Sequence, residues 1–486
     1  MESLKSKTIS SVFWSFLERF GTYLVLLITQ IVLARLLLPA DFGLIGMLTI
    51  FIAISQAFID SGFDNALIQK KHTNQKDYST VFYFNILIGF LCYGILFFSA
   101  PLIAEFFEQE KLVGLTRLVG LILVFNALGL IQLVKFKKEL NFKVIAQVSV
   151  TANFLSAVIG IGLALMDYGV WALAFQMVSI YFLRSAFYWM KSHWRPSLVF
   201  SKQSFRQLFG FGSKLLISGI IDQIFQNIYL LVIGKLFTAK ELGYYTQAQK
   251  FQEVPVVTLA SVVGNVTFPA FSKIQDDDER LRIGFRKMIK LLVFVNFPMM
   301  LGLAVIAQPL FLLLLGEKWL PAVPYFQILC ISGMIYTLHT SNLSILKVKG
   351  RSDLFLYLEI IKKVIVVLAI LIGLNWGIMG LVVGQVVTSF ISLFLNAFFT
   401  GKLISYSIKA QLKDVSSTLI IALLMVGCMI LVGNPEGSVL YLLLQILTGI
   451  SAYFLLAFTT KQEAMNDSLL ILKELIPLKR WKNAKS

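Results

Sequence analysis

Of the 486 residues, 57% are hydrophobic and only 14% charged, with a mean hydropathy of +0.80. A soluble domain carries about 25% charged residues, so this much apolar surface has to face lipid. The formal charge of +17 fits that reading, because Lys and Arg are scattered through short loops, as on the inner face of membrane proteins, rather than gathered into a nucleic-acid-binding patch.

Fourteen runs are long and apolar enough to be predicted as spanning helices: 10–34, 42–63, 79–104, 112–134, 144–166, 169–190, 209–234, 242–270, 285–315, 322–346, 354–374, 377–400, 415–433 and 438–459. Their length argues for helices over barrel strands, and stretches such as Val364–Leu374 show no strand alternation. The first run resembles a signal peptide only loosely. Glu18 and Arg19 interrupt it and no small-residue cleavage site follows, so it is read as an uncleaved span. With this count, 33 of the 43 basic residues fall on one side and 5 on the other, which predicts that both termini are cytoplasmic. No loop is long enough to hold a soluble catalytic domain. The tail Ser468–Lys482, SLLILKELIPLKRWK, reads equally as an amphipathic helix on the inner membrane surface or as a solvated tail.

The chain repeats itself. Ile31–Met47, IVLARLLLPADFGLIGM, ends one run, turns at Pro39 and begins another, and Val232–Gln247, VIGKLFTAKELGYYTQ, does the same. Arg35 matches Lys235, Asp41 matches Glu241 and Gly43 matches Gly243, each 200 residues apart. Further echoes pair Pro101 with Pro309, the loop from Lys135 with that from Lys347, and DYGVWAL (from Asp167) with NWGIMGL (from Asn375). The expected fold is therefore all-α and integral to the membrane. Residues 1–195 and 196–405 form two six-helix lobes about a pseudo-twofold axis along the membrane normal, two helices are appended at 406–460, and 461–486 is a cytoplasmic tail. The paired turns each carry a basic residue followed by an acidic one, and they are expected to meet at the outer seam as the lobes rock.

A first span ending in ARLLLPADFGLIGM, followed by DSGFDNALIQKK (Asp60–Lys71), resembles Wzx-type polysaccharide flippases, within the branch of colanic-acid and teichuronic-acid exporters. These belong to the multidrug/oligosaccharidyl-lipid/polysaccharide exporter superfamily, and the resemblance covers the whole chain. It implies translocation of an undecaprenyl-diphosphate-linked oligosaccharide across the bacterial inner membrane by alternating access, in surface polysaccharide biosynthesis. Its partners would be the lipid-linked oligosaccharide, membrane lipids, and a polysaccharide polymerase and chain-length regulator, with no nucleic acid. No cofactor is expected, and coupling to a proton or sodium gradient is left open. The alternatives are a multidrug exporter of the same superfamily and a membrane glycosyltransferase or polymerase.

Such a substrate needs cations for its diphosphate and polar side chains for its sugars, inside a wet cavity. On span 1, Arg19 beside Glu18 is the leading candidate for the phosphate. On span 7, Lys214, Asp222 and Gln226 lie near one helical face. On span 8, Tyr245, Gln249, Gln252 and Glu253 recur at i, i+4, i+7 and i+8 with Lys250 beside them, a stripe suited to sugars. Arg117 and Arg184 lie near span ends and are read as snorkelling to the headgroups. His339 reads as a core histidine, Asp276–Glu279 as a solvated charge run, and Cys92, Cys330 and Cys428 as small apolar packers. No catalytic constellation or metal-ligand cluster is found.

Overall fold

A computed structural model describes the backbone of residues 4–60, 63–70, 72–433 and 438–467, and their side chains apart from 4–13, 16, 65, 211–215 and 260–266. Lys214 and the tail Ser468–Lys482 thus lie outside the described side chains. Among the described residues every regular element is helical. Among the described residues twelve stretches are long and apolar enough to cross a membrane, and the chain is an all-α, multi-pass membrane protein. One of the twelve, 352–404, contains two helices separated by a short 3-10 turn at Leu374–Trp376. The helix Ala239–Ser272, 34 residues long, is not among the twelve.

By its packing the chain divides into two compact units, Met1–Thr246 and Gln247–Ser486. The first contains α1 (Leu4–Leu36), α2 (Pro39–Asp60), α3 (Phe63–Gln69), α4 (Gln75–Phe107), α5 (Lys111–Val119), α6 (Leu121–Lys138), α7 (Phe142–Leu165), α8 (Val170–Lys191) and α9 (Lys202–Leu236), with the first turns of α10 (Ala239–Ser272). Within it α1 lies along α7, α7 along α8, α4 along α6, α6 along α8, and α2 along α9. Small residues allow these approaches, as expected where lipid supplies no hydrophobic drive between helices. A Cβ on Gly89 of α4, for example, would stand 2.9 Å from Ala127 Cβ of α6.

The segment joining α8 to α9 is bonded onto α4. Trp194 Nε1 donates to Gln75 Oε1 (2.6 Å), Gln75 Nε2 donates to the Arg195 carbonyl (2.6 Å), and the Ser201 amide donates to Thr80 Oγ1 (3.0 Å). Lys138, at the end of α6, donates to the carbonyls of Leu67 and Lys70 and to Thr73 Oγ1, which fixes the connection into α4. Asn74 and Asp77 close a capping box at the α4 start, and Asp77 also pairs with Lys70 at 2.9 Å.

The second unit contains the rest of α10, α11 (Asp278–Val305), α12 (Ala307–Leu314), α13 (Val323–Val348), α14 (Ser352–Gly373), α15 (Gly377–Ile404), α16 (Ile408–Val432) and α17 (Val439–Thr459). Here α13 lies against α11 and α15, α14 along α15, and α16 along α11 and α17. The last two helices are tied to α11 by polar bonds: Arg286 forms a bidentate pair with Asp414 (2.7 and 2.6 Å), and Tyr453 donates to the Phe294 carbonyl (2.7 Å). Asp276–Glu279 behaves as a self-paired charge run. Asp277 caps α11, Asp278 pairs with Lys349 and Glu279 with Arg282. Cys92 and Cys330 are buried, and Cys428 is half-buried.

Candidate substrate site and the crossing of the paired turns

A cavity of about 330 Å³ lies inside the first unit, walled by α1, α6, α7 and α8. It sits at one end of the bundle, where α1 and α7 begin and α6 and α8 end. Three cations line it: Arg19, Lys137 and Arg184. Glu18 is the one acidic residue on its wall, and Asp60, the last residue of α2, stands near the wall residues Asn126 and Lys137. Tyr181, Tyr188, Ser149 and Ser185 supply hydroxyls. Gln56 of α2 donates to Tyr181 Oη at 3.0 Å and so fixes that side chain. Arg184 Nε is buried and meets no hydrogen-bond acceptor among the described residues. Excess positive charge with an unmet donor is the complement of an oxygen-rich anion.

Sequence reasoning placed Glu18 and Arg19 at a cavity, and both line this one. It assigned Arg184 to the headgroups and counted Lys137 among loop charges, but the structure turns both into the cavity. The signal was present in span 6. Tyr181, Arg184, Ser185 and Tyr188 recur at i, i+3, i+4 and i+7, a polar stripe on an otherwise apolar helix. Arg117 instead stacks its guanidinium on Phe97, 4.5 Å from the ring centre.

The α10 stripe splits. Tyr245 is buried, and Gln252 is buried against Gly333, where an added Cβ would stand 2.0 Å from its Nε2. Their side chains fill helix contacts, because a face about 100° wide on a tightly packed helix meets neighbours along one edge. Gln249 and Glu253 remain on the open edge, joined by a 2.6 Å hydrogen bond, with Lys250 exposed beside them. On α9, Asp222 is half-buried and Gln226 exposed. Neither lines the cavity of the first unit.

The paired turns meet. At the start of α2, a Cβ on Gly43 would stand 1.7 Å from the Ala239 carbonyl oxygen. At the start of α10, a Cβ on Gly243 would stand 1.8 Å from the Pro39 carbonyl oxygen. Each helix thus lays its first-turn carbonyl over the other's glycine, and only hydrogen at Cα fits. The acidic residues of the turns do not pair across this crossing. Asp41 accepts from the Leu38 amide (3.0 Å), and Glu241 forms a capping box with Thr238 (3.0 and 3.2 Å). Lys235 pairs with Glu108 at 2.9 Å. Unsatisfied amides at a helix start outcompete a distant, exposed cation for a carboxylate three residues along.

Comparisons with known proteins agree with this architecture. A family model described as "Polysaccharide biosynthesis protein" matches residues 32–324. The chain is 30% identical over 377 residues to the lipopolysaccharide biosynthesis protein WzxC of Escherichia coli (strain K12), covering 76% of each chain. It is 28% identical over 360 residues to the teichuronic acid biosynthesis protein TuaB of Bacillus subtilis (strain 168), covering 74% of each. Its fold is similar to that of the lipid II flippase MurJ in an inward closed conformation, at TM-score 0.77 and 16% identity over 93% of this chain and all of that one. It also resembles an inward-facing multidrug resistance transporter of the MATE family, at TM-score 0.57 and 16% identity over 79% of this chain and 96% of that one.

Proposed function

Because the chain belongs to the polysaccharide biosynthesis protein family, we propose that it is a flippase moving an undecaprenyl-diphosphate-linked oligosaccharide across the bacterial inner membrane. No bond is made or broken. The work is recognition of the substrate on one side and its release on the other.

The observation that carries this reading is the cavity with Arg19, Lys137 and Arg184 on its wall. Three cations face one partly enclosed space with Glu18 as the one carboxylate on its wall, and like charges held this close call for an anionic occupant. Two phosphates offer oxygens to several cations at once, and guanidinium forks meet them in pairs. The cavity lies at the end of the bundle where Lys135, Lys137, Lys138 and Lys143 cluster. By the charge rule that end is cytoplasmic, which is where the lipid-linked substrate is assembled.

On this reading the chain spans the membrane fourteen times with both termini inside. The count is reached when the two helices in 352–404 are taken separately and α10 is added to the apolar stretches. Residues 1–195 and 196–405 would be the two repeats, with 406–460 appended. A polymerase and a chain-length regulator would take the substrate on the outer side.

The test is Arg19→Ala and Arg184→Ala in a strain that depends on this protein for its surface glycan. Both variants should reach the membrane in normal amount, surface polysaccharide should fall, and lipid-linked oligosaccharide should build up inside. Normal export by both variants would remove the cavity from the transport path.

A further inference from the structure

The segment joining α8 to α9 carries an exposed apolar tip. Leu198 is 94% exposed, and Val199 and Phe200 beside it are exposed too. The tip is gripped at both ends by buried hydroxyls of α4. Before it, the Ser197 amide donates to Ser79 Oγ, and the Ser79 and Ser197 hydroxyls bond to each other, both at 3.0 Å. After it, the Ser201 amide donates to Thr80 Oγ1 at 3.0 Å. Within it, the Val199 amide donates to the Ser197 carbonyl at 2.7 Å, which folds the chain tightly. Phe200 leans on Phe205 of α9, with ring centres 5.8 Å apart. Two adjacent residues of α4 thus hold a three-residue loop whose side chains stand out from the bundle, and apolar side chains displayed together in this way mark a binding surface.

The anchors set the depth of the tip. Ser79 and Thr80 begin the apolar run 79–104, so they lie level with the edge of the hydrocarbon. Helix α8 ends at that level too, since its 22 residues are about the length that crosses a bilayer. Leu198, Val199 and Phe200 therefore stand at the boundary between water and lipid. The charge around them is one-sided. Lys191, Arg195, Lys202 and Arg206 are exposed, and no Asp or Glu occurs between Asp167 and Asp222. Arg195 is committed to the carbonyls of Ser192 and Trp194 and to the Trp189 ring. Lys202 follows the tip directly, and Arg206 lies one turn further along the same face of α9. Apolar side chains flanked by exposed cations at this depth match a bilayer surface, where acyl chains take the tip and anionic headgroups take the cations. A soluble protein would have to reach Leu198 through the headgroups.

We propose that residues 198–200 dock into the lipid leaflet at this end of the bundle, with Leu198 and Phe200 among the upper acyl chains and Lys202 and Arg206 on anionic phospholipid headgroups. By the charge rule this is the inner leaflet. The contact holds the α8–α9 connection, and with it the start of α9, at a fixed depth. It needs no part of the flippase reading.

The experiment uses the full chain, with Cys92, Cys330 and Cys428 replaced, in phosphatidylcholine vesicles containing phosphatidylglycerol. Leu198→Cys is labelled with a bimane fluorophore, and His72→Cys, at an exposed position in the connection into α4, gives the water-facing reference. Bimane on Leu198→Cys should emit to the blue of that reference, resist quenching by iodide and be quenched by acyl-brominated lipid. This depth readout does not depend on which side of the membrane the loop faces. One cation near an anionic surface contributes about fivefold in affinity. Brominated phosphatidylglycerol at low content should therefore quench at least about fivefold more than brominated phosphatidylcholine, and Lys202→Gln with Arg206→Gln should remove the preference. Iodide quenching equal to that at His72→Cys would overturn the docking, because the tip would then stand in water. Protection from iodide and bromine alike would overturn it too, by showing the tip covered by protein. Equal quenching by the two brominated lipids would overturn the contact with anionic headgroups.

Discussion

Substituting either glycine at the crossing of α2 and α10 should hold the outer side of the transport path open. A Cβ on Gly43 would stand 1.7 Å from the Ala239 carbonyl oxygen, where ordinary contact begins at 3.4 Å. The two helix starts must therefore separate by the difference, about 1.7 Å, and both partner atoms are backbone that no rotamer change can move. Overpacking of this kind costs about 1–3 kcal/mol, and only in the state where the turns touch, so the closed state loses about 5–150-fold in population. Leu242 is buried at the crossing and lies against Gly46 and Gly234, which makes it the reporter position. In a background with Cys92, Cys330 and Cys428 replaced, Leu242→Cys should label slowly with a membrane-impermeant maleimide added outside. Adding Gly43→Val or Gly243→Val should speed labelling and stop export. Unchanged labelling together with normal export would refute the view that these glycines seal the path.

Fluorescent reporters that glow only in the cytoplasm should be bright at both termini, and a periplasm-only reporter active at Ser486 would exclude the fourteen-span topology with both termini inside. Lys137→Ala should lower export in the same sense as Arg184→Ala, by about tenfold or more for the loss of one charge-assisted phosphate contact, measured as surface polysaccharide at matched protein level. Tyr406→Phe should lower thermal stability by about 1.5–3 kcal/mol, because the Tyr406 hydroxyl donates to Asp414 at 2.8 Å. Burial and that bond hold the Tyr406 pKa above its ordinary value of 10.0. A raised folded pKa means the contribution is complete below the unfolded value and fades only as pH climbs through the folded one. The cost should thus stay constant from pH 6 to 9, and a cost that shrinks within that window would contradict the assignment.

The membrane class, the helices and most helix ends were legible because each rests on composition and run length, which lipid enforces residue by residue. Which face a polar residue presents was less legible. Arg184 was assigned to the headgroups from its distance to the span end, yet its i−3, i+1 and i+4 neighbours Tyr181, Ser185 and Tyr188 share its face and line the same cavity. Distance along the axis decides whether snorkelling is possible, and the face decides whether it happens. The α10 stripe failed in the opposite sense. Tyr245 and Gln252 have the right period, but their edge of the helix is closed by neighbours, and sequence period carries no information about what lies opposite.

The repeated turn shows how a correct pattern can carry a wrong mechanism. Arg35 and Lys235, with Asp41 and Glu241 six positions on, looked like charges placed to meet across a seam. Each acid instead satisfies amides at its own helix start, which explains why it sits two or three residues past the turn. What crosses the seam is backbone: Pro39 and Ala239 each offer a carbonyl to the glycine four residues beyond the other. A contact in which two helices exchange the same two positions demands the same two positions twice in the chain, with glycine at one of them. The crossing therefore requires each glycine four residues past the residue whose carbonyl is offered, and within the turn the offset of 200 residues between the copies keeps that register. Arg35 and Lys235 differ between the two turns, whereas Gly43 and Gly243 are the same residue, and neither has room for a Cβ. A contact of carbonyls over glycines has no side chains to rearrange, so parting the two helix starts would cost only the packing at the crossing, and labelling of Leu242→Cys measures whether they part.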